Sequence, residues 1–184
     1  MRGKAWTSAA AIFVILGAPT LHAQSMTLTS GEVGNGATIK NEQAYNAFGC
    51  RGGNISPGLA WTATPSAAKS IAVTMFDPDA PTGHGWWHWI VYDIPPSVAS
   101  LPKNAGDPAA KLLPAGAAEA RNDFGTAGYG GPCPPPGKPH RYVFTVYALD
   151  AAKLPGGSET AAGVNAAIEA HALGKASLTT SYGR

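Results

Sequence analysis

The chain has 184 residues, enough for one domain with a sizeable core. It carries 13 Lys and Arg against 11 Asp and Glu, and two of the basic residues, Arg2 and Lys4, lie at its start with no acid nearby. Without them the balance is eleven against eleven, which excludes the basic footprint of a nucleic-acid binder.

Arg2 and Lys4 precede an apolar run from Ala5 to Leu16, followed by Gly17, Pro19 and Leu21-His22-Ala23. A basic start, an apolar stretch too short to span a bilayer and a small residue at its end favour a secretory signal peptide over a membrane anchor. Residues 1–23 are expected to be removed, leaving 24–184 as a single domain of a periplasmic or secreted protein. Gly (23) and Pro (16) are dispersed among apolar runs, above ordinary usage but below the low-complexity range. That pattern favours a loop-rich, mainly β fold over a helical one.

Met26–Thr29 reads as a first strand and Gly31–Gly36 as a turn. Ala44–Phe48 reads as a weak strand ended by Gly49, and Leu59–Trp61 as a brief one. Gly52-Gly53 lies between them without the Lys-Ser/Thr pair or the helix of a phosphate loop. Ser70–Phe76 alternates, with Ile71, Val73 and Met75 opposite Ala72, Thr74 and Phe76. It delivers the chain to Asp77–Pro81, made rigid by Pro78 and Pro81, and Gly83 and Gly85 then argue against a helix. From Trp87 to Ile94 the residues are the aromatic and β-branched types of a half-buried strand. Strict alternation places His88, Ile90, Tyr92 and Ile94 on one face, with Trp87, Trp89, Val91 and Asp93 on the other.

Pro95–Pro114 reads as a surface excursion and Gly116–Pro139 as a long ordered loop, of a length that is usually functional. Arg141–Leu149 is the strongest strand, with Tyr142, Phe144 and Val146 on the face of His140. A helix is expected from Ala161 to Leu173, capped by Ser158 or Thr160 and stopped by Gly174, before a last strand at Ala176–Tyr182. Cys50 and Cys133 are an even pair in an exported chain, which favours a disulfide over two buried thiols. The loop closed would be about 84 residues, contributing roughly 4 kcal/mol in the chain-entropy model.

Chemistry-bearing groups gather around the 77–94 stretch. Asp77 and Asp79 form a D-x-D pattern, and His84 and His88 are four apart, but the glycines flanking His84 spoil a helical zinc pair, so no metal or cofactor is assigned. No G-x-S-x-G elbow is present, and Asp123-Phe124-Gly125 matches the kinase tripeptide by letters alone. What remains is Asp77, His88 and His140 at strand ends, with Gly130-Gly131 in a loop. Imidazoles and free glycine amides can donate hydrogen bonds to an oxyanion, and a carboxylate can fix an imidazole tautomer. For either histidine alone, an ordinary hydrogen-bonded ring with no ligand is an equal alternative.

The motifs Asp77-Pro78-Asp79-Ala80-Pro81, Trp87-His88-Trp89, Gly130-Gly131-Pro132 and His140-Arg141-Tyr142 occur in an order that resembles the phosphatidylethanolamine-binding protein family. Asn54-Ile55-Ser56-Pro57 and Arg121–Gly125 are similar to its bacterial Raf-kinase-inhibitor-like branch. The resemblance implies a β-sandwich-like fold of two antiparallel sheets with Greek-key connections, a C-terminal helix and long ordered loops. It further implies a pocket for phosphate-like anions and phospholipid head groups, built from Asp77, His88, Pro132 and His140, with Asp79, Trp86, Gly131 and Tyr142 as neighbours. Eukaryotic members close that pocket with a C-terminal helix bearing a tyrosine, where this chain has a strand.

The resulting expectation is an exported, non-enzymatic binding or regulatory protein. The alternatives are a hydrolase using the pocket His and Asp as general acid and base, and a protein-only inhibitor module. A protein partner and a homodimer are left open. N-terminal sequencing of exported material should begin at Gln24; a retained Arg2-Gly3-Lys4 would refute the signal-peptide reading.

Overall fold

The structure, a computed structural model, describes residues 25–155 and 160–184. The expected signal peptide and the candidate cap Ser158 lie outside the described residues. In chain order the elements are β1 (Thr27–Thr29), β2 (Leu59–Thr62), β3 (Ser70–Asp77), β4 (Trp86–Ile94), β5 (Ser100–Leu101), β6 (Ala118–Glu119), β7 (His140–Leu149), α1 (Ala161–Ala170) and β8 (Ala172–Tyr182). Among the described residues they form a small antiparallel sheet, β1-β2-β5, and a five-stranded antiparallel sheet, β6-β4-β3-β7-β8. In the large sheet β3, β4 and β6 lie side by side, and the chain then returns to place β7 against β3. That is the spatial order of a Greek key, as the resemblance implies.

The large sheet is buried on both faces. One face meets the small sheet through Ile71, Val73, Met75, Trp89, Phe144 and Val146, packed on Leu28, Leu59 and Trp61. The other face, built from Ala72, Ile90, Tyr147 and Leu149, receives Val164 and Ile168 of α1. Ala72 and Thr74 are small, so the helix can approach the sheet on that side, while the larger Ile71, Val73 and Met75 fill the inter-sheet space.

β4 departs from strict alternation. Trp89 pairs with Met75, yet Trp87 pairs with Phe76, so His88 is an extra residue; a second extra residue falls between Val91 and Ile94. Two β-bulges of this kind each reverse the side-chain sequence once. Trp89, Val91 and Ile94 therefore share the inter-sheet core, whereas Ile90 and Tyr92 pack on the helix side. The expected face shared by His88, Ile90, Tyr92 and Ile94 does not exist. At the second bulge Asp93 sits at φ 57°, and its buried carboxylate accepts the Leu154 N–H at 2.9 Å.

Two further segments differ from expectation. Ala44–Phe48 is a series of turns rather than a strand, with the Ala44 N–H donating to Asn41 and the Cys50 N–H to Ala47. The helix ends at Ala170, and β8 begins at Ala172, paired with Leu149 and continuing along almost the whole of β7. Pairing with the longest apolar strand overrides the alanine-rich helical propensity of residues 171–173. Thr160 is the cap, its hydroxyl accepting the Gly163 N–H.

Cys50 and Cys133 form a disulfide, with Cα atoms 5.9 Å apart and a sequence separation of 83. It ties the 41–50 turns to the long loop before β7. Intact mass should rise by two hydrogens on reduction. Replacing both cysteines by alanine should cost about 2–4 kcal/mol in urea unfolding, since a long loop is released in the unfolded chain.

Candidate functional site

The antiparallel register assembles the site. β3 ends at Asp77, opposite Trp86 at the start of β4, and β7 starts at His140 on the other side of β3. Three strand ends thus deliver Asp77, Trp86 and His140 to one edge of the sheet. The Asp77 carboxylate is buried; its Oδ1 accepts the Asp79 N–H at 2.8 Å and its Oδ2 accepts from His140 Nδ1 at 2.8 Å. Asp79 faces the other way, chelating Arg141 through the backbone N–H (2.8 Å), Nε (2.9 Å) and Nη2 (2.7 Å). Those bonds to Arg141 hold the Asp79 carboxyl far below the ordinary carboxylate range and pin the 78–85 loop to β7.

His88, the bulge residue, is only 3% exposed. Its Nδ1 donates to the Gly130 carbonyl at 2.6 Å, and the Gly130 N–H donates back to the His88 carbonyl at 2.9 Å. A carbonyl can only accept, so the hydrogen is on Nδ1. Burial lowers the pKa of His88 from 6.5 to about 4, leaving a neutral ring whose Nε2 is an acceptor. The expectation of two imidazoles donating charge-assisted bonds therefore fails for His88, because burial outweighs the neighbouring carboxylates.

Around these groups lies an open cavity of about 400 Å³. Phe124 forms one wall, its ring edge-on to His88 and Trp86 at centroid distances of 5.3 and 5.4 Å and stacked on Tyr45 at 4.4 Å. Phe48, 72% exposed, extends this aromatic lip; Pro81, Thr82, Pro134 and Pro135 complete the rim. The loop carrying Phe124 is stitched to β4: Asp123 Oδ2 accepts the Trp87 N–H at 2.7 Å, and Asn122 Oδ1 accepts the Phe124 and Thr126 N–H groups.

Two buried donors face no acceptor. Among the described residues Trp86 Nε1 and Tyr142 Oη find no hydrogen-bond partner, and both residues line the cavity. Burial first, and then the Asp77 charge, raise the Tyr142 phenol well above its ordinary pKa, so it keeps its proton; Asp77 acts on it electrostatically without meeting hydrogen-bond geometry.

Of the residues singled out in the sequence, Asp77, Trp86, His88, His140 and Tyr142 line the cavity, while Asp79, Gly131 and Pro132 do not. The Gly130-Gly131 amides are not free for an oxyanion. Gly130 N–H goes to His88, and Gly131 N–H goes to Asn54 Oδ1 at 2.8 Å. Gly131 is glycine for packing, since a Cβ there would run into the Gln43 carbonyl oxygen and the Tyr45 amide. Pro132 acts through its carbonyl, which accepts the Tyr45 N–H at 3.0 Å. Phe48, Phe124 and the Cys133–Pro135 edge were missed as cavity walls. Only the Arg121–Gly125 motif could have signalled Phe124, and nothing local could have signalled Phe48.

The neutral buried histidine has a measurable consequence. The unfolded chain takes up a proton at residue 88 below pH 6.5, whereas the folded chain does so only near pH 4. Stability should therefore fall as pH drops through that window, by up to about 3 kcal/mol from this group. Histidine ring NMR should show residue 88 titrating near pH 4; a midpoint near 6.5 would overturn the assignment.

Comparison with known proteins agrees with this architecture. The phosphatidylethanolamine-binding protein family model matches residues 29–183. YbcL of Escherichia coli (strain K12) is 46% identical over 162 residues, covering 87% of this chain and 88% of YbcL. YbhB of the same organism is 41% identical over 160 residues, covering 85% and 99%. LppC of Mycobacterium tuberculosis (strain ATCC 25618 / H37Rv), described in its name as a lipoprotein, is 38% identical over 168 residues, covering 89% and 75%. The crystal structure of E. coli YbcL superposes with a TM-score of 0.85 at 45% identity, covering 88% of this chain and 99% of that one. With the fold, the motif order and these similarities in agreement, the chain belongs to the phosphatidylethanolamine-binding protein family.

Proposed function

We propose that this protein is an exported, non-enzymatic binder of a small oxyanionic ligand, a phosphate group or a phospholipid head group, held in the cavity between Asp77, His88 and His140. One observation carries the reading: Trp86 Nε1 and Tyr142 Oη are buried without a hydrogen-bond partner among the described residues, and both residues line one open cavity. Leaving a buried donor unpaired costs about 1–3 kcal/mol, a cost an acceptor-rich ligand removes. His140 adds to this. Its Nδ1 is held by Asp77, so when protonated its Nε2 offers a charge-assisted bond. The apolar rim of Phe48, Phe124, Pro81 and Pro134 suits whatever group the anion is attached to.

The Asp77–His140 pair is also the geometry of a general base. Nucleophile chemistry finds little support beside it. Thr82, on the cavity wall, donates its hydroxyl to the Gly85 carbonyl at 2.7 Å, and Cys133 is consumed in the disulfide. Export is supported by the basic-apolar start of the chain and by that disulfide, which persists in oxidising compartments. LppC, a relative named as a lipoprotein, is consistent with an extracytoplasmic setting.

Trp86→Phe and Tyr142→Phe keep the rings and remove one donor each. Each should weaken binding of inorganic phosphate about tenfold by calorimetry, while His171→Ala, on the far side of the sheet beside α1, should not. Equal affinity in all three variants would remove the cavity from the account.

A further inference from the structure

We propose that the Asn35-Gly36 step is a deamidation site gated by the edge of β8. Residues 35–39 hold it unreactive while they lie on that strand, and its conversion to isoaspartate keeps them from returning.

β8 is an outer strand of the large sheet, and residues 35–39 run along its C-terminal half, with Thr38 beside Ser181. The Gly36 N–H donates to the Thr179 carbonyl at 2.7 Å, and the Thr179 N–H donates to Asn35 Oδ1 at 3.0 Å. The Asn35 side chain thus stands in for the backbone carbonyl that a paired strand would supply. Further along, the Ser181 N–H donates to the Ala37 carbonyl and the Ile39 N–H to the Ser181 carbonyl. The Thr180 hydroxyl also donates to the Ala37 carbonyl. Val33, just before this segment, and Ile39, at its end, are anchored in the inter-sheet core.

The same geometry dictates a reactive sequence. Gly36 sits at φ 74°, in the left-handed region that favours glycine. A glycine nitrogen has no side chain beside it to hinder attack, and no other asparagine in the chain precedes a glycine. Once solvent base has taken its proton, the Gly36 nitrogen attacks Asn35 Cγ. The new N–C bond closes a five-membered succinimide, and the side-chain nitrogen leaves as ammonia. Water then opens one of the two ring carbonyls, giving aspartate or isoaspartate; the net exchange is water in and ammonia out.

In the folded chain both reacting groups are withheld, although both residues are exposed. An N–H held in a protein hydrogen bond releases its proton only when that bond opens. The Asn35 carboxamide is tied to the same Thr179. Reaction therefore waits for residues 35–39 to lift from β8. The two products then part company. Aspartate keeps an acceptor oxygen in the same place and re-forms both bonds. Isoaspartate moves the side-chain methylene into the main chain, so that its acceptor and the Gly36 N–H no longer reach Thr179 together.

Peptide mapping of the purified protein, aged in mildly alkaline buffer with and without urea, reads the gate. With two hydrogen bonds to open, conversion at Asn35 should be at least about tenfold slower in the folded chain than in urea. Thr180→Val removes one bond from the segment while keeping the side-chain shape, and should raise the folded rate about fivefold. Equal rates in folded and unfolded chains, or no conversion in urea, would overturn the proposal, as would an unchanged rate in Thr180→Val. Hydrogen exchange separates the products. The Thr179 amide should be as protected in Asn35→Asp as in the original chain, and should exchange faster in the purified isoaspartate form. Equal protection in all three would overturn the claim that isoaspartate keeps the segment off β8.

Discussion

The double burial of β3 is the constraint on which the rest depends. Seven of its eight residues are buried, with the small sheet on one face and α1 on the other, and it pairs with β4 and β7 at its two edges. A strand so enclosed has no freedom of register. Slipping β3 by one residue against its neighbours would turn Ile71, Val73 and Met75 away from the inter-sheet core. With the register fixed, the positions of the strand ends are fixed as well. Asp77, Trp86 and His140 therefore meet at one edge as a consequence of core packing, before any local interaction among them is counted. The 2.8 Å contact between His140 and Asp77 then locks what the core has already brought together.

Upon that frame a single extra residue makes the difference between a strand and a site. Regular alternation would have left His88 as one more sheet side chain. The bulge inserts it without a partner on β3 and turns it toward Tyr142 and Phe124, with ring centroids 5.2 and 5.3 Å away. Bulges re-aim side chains at the cost of one unpaired backbone position. Here the exposed backbone groups are not wasted. The His88 carbonyl takes the Gly130 N–H, and the His88 ring returns a bond to the Gly130 carbonyl. The same exchange moors the long loop to β4, so that Phe124 becomes a wall of the cavity.

The electrostatic character of the cavity follows from how its polar groups are spent. Both Asp77 oxygens, both glycine amides and the Thr82 hydroxyl are used within the protein. Trp86 Nε1 and Tyr142 Oη have no partner among the described residues, and both residues belong to the largely apolar cavity wall. The disulfide contributes at the rim: it joins Cys50, close in sequence to Phe48, to Cys133, next to Pro134 and Pro135, so two segments of the cavity lip are held by one covalent bond.

Much of this was legible in the amino-acid order. The alternation of Ser70–Phe76 and His140–Leu149, the Pro-Gly punctuation between Asp77 and Trp86, and the order of four short motifs determined the mainly β class, the strong strands and the group Asp77, His88 and His140. Those features are local, and composition records them. Tertiary structure alone decided the rest, for reasons no local pattern carries. The β4 bulges depend on the register of β3, the early end of α1 depends on pairing between β7 and β8, and Ala44–Phe48 is bent because its groups serve Asn41 and Pro132. Pro132 reads as a ligand contact and Gly131 as its neighbour in the motif; the close packing of Gly131 on Gln43 and Tyr45, and the bond from the Tyr45 N–H to the Pro132 carbonyl, appear only in the fold. Whether His88 is a donor or an acceptor was likewise undecidable from its neighbours in sequence, since it turns on burial and on a carbonyl 42 residues away.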